Sequence, residues 1–129
     1  MKEKTVDEIL REEFLKERAV VLGRTGESVS RAIVKLQRLG KAIEARQREF
    51  SHLEQELGKD PDRPEYRLAR ERKITEINKK IALYNRLWDH AQLRYYYLIV
   101  TREAMGLRSH HRVEEMYRIP PKKKELSVG

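Results

Sequence analysis

The chain has 129 residues, a length suited to one domain, with 39% hydrophobic and 39% charged residues. That balance is too polar for a thick globular core and too rich in Leu, Ile and Val for plain disorder. It has no cysteine, which excludes disulfides and thiolate metal sites. Its longest apolar run, Tyr95 to Val100, is far short of the ~20 residues of a membrane span.

Narrow hydrophobic stripes on long helices reconcile these figures, because a coiled-coil seam buries only about two positions in seven. The first residues, Met1 to Glu8, contain no apolar stretch of the secretory-signal kind, so a cytoplasmic protein is the expectation. The net charge is +8. It is 0 over residues 1–26, +1 over 27–58, +4 over 59–106 and +3 over 107–129, so the excess lies in the C-terminal half.

A first helix is predicted over about residues 5–22, with Thr5 as N-cap and Asp7 and Glu8 in its first turn. Gly23-Arg24-Thr25-Gly26 predicts a break, since a glycine costs about 1 kcal/mol inside a helix. Gly23 suits the position after a helix end, and Thr25 or Ser28 suits a new cap. A continuous helix through the glycines is the competing reading.

A second helix is predicted over about residues 27–57. Val29, Leu36, Ile43, Phe50 and Leu57 recur there at a spacing of seven. Gly58 to Pro64 predicts a compact turn. A third helix follows over about residues 65–105, with a seam of Ile74, Ile77, Ile81, Tyr84, Trp88, Ala91, Tyr95 and Leu98. Gly106 suits its C-terminus. A short helix, about residues 110–118 with Ser109 as cap, precedes Pro120-Pro121. Residues 120–129 read as a basic disordered tail.

A short turn makes the second and third helices antiparallel neighbours. Phe50 then faces Ile74, Ile43 faces Ile81, Leu36 faces Trp88 and Val29 faces Tyr95. The expected fold is all-α: a long, coiled-coil-like antiparallel helical hairpin, with the first helix as a third one packed at one end. Residues 1–119 form a single helical domain. Tyr95 to Val100 is apolar or aromatic on every side of its helix and has to be covered. Either the first helix folds back onto it through Phe14 and Ala19 to Leu22, or the same surface closes a homodimer.

No residue set carries a reaction. Glu49-x-x-His52 has the spacing of a di-iron ligand pair, but both residues fall on the solvent side of the heptad frame. His110-His111 with Glu114 and Glu115 offers i, i+4 charge pairs on a short helix, which lack metal partners from elsewhere. Asp89 and His90 are adjacent, so their side chains diverge by about 100°. Gly23 to Gly26 lacks the Gly-Lys-Ser/Thr ending of a phosphate loop. The expectation is a non-enzyme without metal or cofactor.

Basic and aromatic side chains are the remaining signal. Arg67, Arg70 and Lys73 crowd the start of the third helix. Arg108, Arg112, Arg118, Lys122, Lys123 and Lys124 form a second group, and Tyr96 and Tyr97 stand off the seam. These suit an interaction module whose partner is an acidic protein surface, or alternatively a nucleic acid, structured RNA or DNA, with no membrane involved. The protein partner is favoured because 21 acidic residues are interleaved with 29 basic ones and repel phosphate along most faces.

Overall fold

The computed structural model describes residues 3–58 and 63–127, and these hold helices and extended segments without a strand. Two long helices pack against each other, α1 (Val6–Leu57) and α2 (Pro64–Ala104), and a short α3 (His111–Met116) follows. The expected turn falls largely on residues 59–62, which lie outside the described residues.

Thr5 caps α1 in a reciprocal box. Its Oγ1 accepts from the Glu8 amide at 3.3 Å, and Glu8 Oε2 accepts from the Thr5 amide at 3.3 Å. At the far end of α2 the Gly106 amide bonds the Glu103 carbonyl and the Leu107 amide bonds that of Arg102, both at 2.9 Å. Gly106 stands at φ +84°, the left-handed turn that this double cap requires and that glycine adopts without steric cost.

The core forms two clusters. One holds Leu36, Ile43, Phe50, Ile74, Ile77, Ile81 and Tyr84. The other holds Val29, Ile33, Leu98 and Val113. Ion pairs border the first: Arg70 with Glu54 at 3.1 Å and Arg46 with Glu76 at 3.3 Å.

The helix break expected at Gly23–Gly26 is absent, and α1 runs through it as 52 continuous residues. Thr25 caps nothing: its Oγ1 donates back to the Val21 carbonyl at 2.8 Å, inside the helix. Gly26 is buried, and a Cβ there would stand 2.7 Å from Tyr117 Oη. This glycine makes room for the returning C-terminal chain and does not end a helix.

The first helix therefore does not fold back. Phe14, Val20 and Val21 remain exposed, and of the residues expected to cover Tyr95–Val100 only Leu22 packs there. The cover comes from the other end of the chain. Val113, Tyr117 and Ile119 close over Leu98, Tyr95 and Ile99 after the reversal at Gly106. α3 begins later than expected, with His110 as its cap residue and no side-chain cap bond, while the Ser109 carbonyl accepts from Arg102 at 2.9 Å.

Residues 120–127 also depart from expectation. They are not a free tail but an extended strap laid along both helices. Trp88 Nε1 donates to the Pro120 carbonyl at 2.7 Å, and Tyr84 Oη donates to that of Pro121 at 2.8 Å. Asn85 and Asn78 then bond both backbone groups of Lys123 and Leu126. Burial, and secondarily the Glu44 carboxylate, raises the Tyr84 phenol above its ordinary pKa and keeps it a donor.

Candidate interaction surfaces

The predicted basic residues are dispersed. Arg67, Arg70 and Lys73 sit near the start of α2, and Arg108 and Arg112 lie beyond its end, about 50 Å away along the axis at 1.5 Å per residue. Arg70 is committed to Glu54. Lys122 pairs with Asp89 at 3.0 Å and stands over the Trp88 ring at 4.8 Å. Lys123 stands over the Tyr84 ring at 5.3 Å and lies 3.6 Å from Glu44. Those two lysines hold the strap down, so their charge is largely spent within the molecule. Arg108, Arg112 and Lys124 are exposed and make no ion pair among the described residues.

Tyr96 and Tyr97 are 61% and 49% exposed, with ring centroids 6.3 Å apart. Leu93 and Val100 are exposed beside them. The spacing Leu93, Tyr96, Tyr97, Val100 is i, i+3, i+4, i+7, one stripe of a helix. It is the face of α2 that the C-terminal cover leaves open.

Two further surfaces were not anticipated from sequence. Upstream of Arg18, which donates to the Met105 carbonyl just past the end of α2, residues 3–17 are exposed throughout. That segment exposes Val6, Ile9, Leu10 and Phe14, the last with the Arg18 guanidinium over its ring at 5.2 Å. The second surface is a groove of about 500 Å³ between α1 and α2, away from the strap. Ala32, Leu83 and Leu87 line it, and Arg31, Lys35, Arg86, His90 and Arg94 rim it. Arg31 pairs with Glu27 at 3.1 Å, while Lys35, Arg86 and Arg94 make no ion pair among the described residues. The clue in the sequence was basic residues at four-residue steps, Arg31 and Lys35 on one helix and Arg86, His90 and Arg94 on the other.

The histidines stay local. His111 meets Glu115 at 3.1 Å as the i, i+4 spacing implies, but His110 turns to Glu103 at 3.1 Å. Glu49 and His52 are both exposed on α1. Among the described residues no three His, Asp or Glu side chains converge as a metal ion requires, and no helix is long and apolar enough to cross a membrane.

The class defined by this geometry is a mostly helical protein of two long packed helices, a short third one and an extended C-terminal strap. No family model matches the chain, and comparison with curated proteins and with solved structures gives no match either.

Proposed function

We propose that the chain is a non-enzymatic interaction module: a coiled-coil-like antiparallel hairpin that presents one side of α2 to a protein partner. The observation that carries this reading is the Leu93–Tyr96–Tyr97–Val100 stripe. Aromatic side chains supply large contact areas at low entropic cost and anchor many protein interfaces. Here two tyrosines, flanked by Leu93 and Val100, line one exposed strip of a long helix. Arg94, on the same segment, favours a partner surface with acidic groups near its apolar centre.

Nucleic-acid binding is the second reading. It rests on Arg108, Arg112, Arg118 and Lys124, exposed cations of the C-terminal region that make no ion pair among the described residues. It is weakened because Lys122 and Lys123 are engaged by Asp89, Glu44 and two aromatic rings.

Affinity capture from the source cell, with and without nuclease, separates the two. A protein partner survives nuclease and is lost with Tyr96→Ala or Tyr97→Ala. Both rings are exposed, so neither variant endangers the fold. Retention by both variants, or release by nuclease, would overturn the reading.

A further inference from the structure

One face of α1 runs unpartnered through its first half and into the basic groove. Glu13, Glu17, Val20, Arg24, Ser28 and Arg31 follow each other at steps of three and four residues, so they share one side of the helix. Val6 and Leu10 extend this line upstream, and Lys35 extends it downstream. Leu22 and Ile33, which pack toward α2 and α3, are each offset by two residues from it, about 200° around the helix, and Val29 is offset by one residue from Ser28 and two from Arg31. The line is therefore an open flank of α1, turned away from the seam and reaching the rim of the groove at Ser28, Arg31 and Lys35, and its two ends differ in charge. Residues 3–17 hold six carboxylates against three cations, a net of −3. The other end is rimmed by Arg31, Lys35, Arg86 and Arg94.

The projecting segment has an apolar stripe and acidic flanks, and the groove has an apolar floor and basic rims. Both lie on the same face of the same helix. We infer that the chain forms a two-fold dimer in which the two α1 helices lie side by side in opposite directions, with the axis between Val20 and Val21. Each acidic N-terminal segment then enters the basic groove of the second copy. The register sets Glu17 against Arg24 of the second copy, Glu13 against its Ser28, Leu10 against the stem of its Arg31, and Val6 against its Lys35. Every contact occurs twice, as a closed isologous interface demands. Glu17 and Arg24 are both exposed and make no ion pair within the chain among the described residues. Arg94 borders both this groove and the α2 stripe, but Glu17 and Arg24 lie on α1 outside the stripe, so changes there test the dimer separately from the function proposed above.

Sedimentation velocity of the full chain over a concentration series tests it. The wild type sediments as a dimer that dissociates on dilution. Glu17→Arg and Arg24→Glu, changes at exposed positions that leave the circular dichroism unaltered, each raise the dimer Kd by at least about tenfold, because like charges then face each other twice. The combined variant E17R/R24E restores the pairing and recovers the wild-type Kd to within about threefold. Because the chain has no native cysteine, Glu17→Cys with Arg24→Cys gives a second readout. Two cysteines seven residues apart on one helix are about 10 Å apart, too far to bridge within a chain, so mild oxidation yields a covalent dimer. A monomer at every concentration, unaltered Kd in the single variants, no recovery in the combined one, or no covalent dimer would each overturn the inference.

Discussion

Asn85 grips the backbone of Lys123 with both ends of its amide: Nδ2 donates to the Lys123 carbonyl at 2.9 Å, and Oδ1 accepts from the Lys123 amide at 3.0 Å. Asn78 does the same to Leu126, at 2.9 and 2.7 Å. The spacing explains why both fit. Seven helical residues advance about 10.5 Å, and three extended residues advance about 9–10 Å. Two asparagines one heptad apart thus meet every third residue of an extended chain. They read backbone, so the strap's own side chains are left to pair elsewhere.

Asn78→Ala and Asn85→Ala should each loosen the strap at the cost of about 1–2 kcal/mol, the net worth of two hydrogen bonds. Hydrogen exchange locates the effect. Asn85→Ala should lose protection at the Lys123 amide and Asn78→Ala at that of Leu126, while amides around Ile43 and Ile81 stay protected.

The two glycines of the expected break should respond oppositely to alanine. A Cβ at Gly23 meets nothing within 4 Å, so Gly23→Ala should stabilise by about 1 kcal/mol through helix propensity. A Cβ at Gly26 would stand 2.7 Å from Tyr117 Oη, so Gly26→Ala should displace Tyr117 and gain nothing. With Tyr117→Phe the nearest atom becomes the ring carbon, 3.6 Å away, and Gly26→Ala should recover its propensity gain. Thermal melting of the four variants checks this. Equal effects of alanine at both glycines would contradict the packing of Tyr117 described here.

These residues also show what could be read from sequence and what could not. The seam was legible because Ile74, Ile77, Ile81 and Tyr84 repeat with a helical period, and that period exists only because one side is buried. The limits of α2 were legible from Pro64 and Gly106, whose backbone constraints act locally. Gly26 misled because a glycine needed for close approach looks the same in sequence as one that ends a helix. The strap was illegible for a different reason. Pro120 to Lys124 has the composition of a disordered tail, and its order is supplied by Trp88, Tyr84, Asn85 and Asn78, more than 30 residues away in the chain. Among the site residues, exposure of Tyr96 and Tyr97 could not be separated from burial until α3 was seen to cover Leu98 instead.

Ile81 is fully buried in the cluster that also holds Ile43. Ile81→Asp should cost on the order of 3–5 kcal/mol, because a carboxylate without a partner would replace an apolar contact. Leu68→Asp, at a site that is 54% exposed on the same helix, should shift stability by no more than about 0.5 kcal/mol. Urea unfolding of both variants measures the contrast. A similar midpoint for the two would mean that the packing of α1 against α2 is not centred on Ile81.

The final prediction concerns charge and separates the two proposed functions. Binding to RNA or DNA releases counterions and weakens steeply with salt, by an amount that grows with the number of phosphates contacted. The exposed cations at the C-terminal end that make no ion pair among the described residues are Arg108, Arg112, Arg118 and Lys124, whereas Lys122 and Lys123 already have Asp89, Glu44, Trp88 and Tyr84 as neighbours. Freeing those two lysines for phosphate would give up interactions that hold the strap. Titration of the purified chain against mixed RNA and DNA should therefore show only weak binding at low salt and none at moderate salt. The variant with Arg67, Arg70 and Lys73 all changed to Glu should behave as the wild type does toward the Tyr96–Tyr97 partner, because that stripe lies 20 residues or more further along α2. Tight nucleic-acid binding that the triple variant loses would reverse the preference and make the basic start of α2 the functional surface.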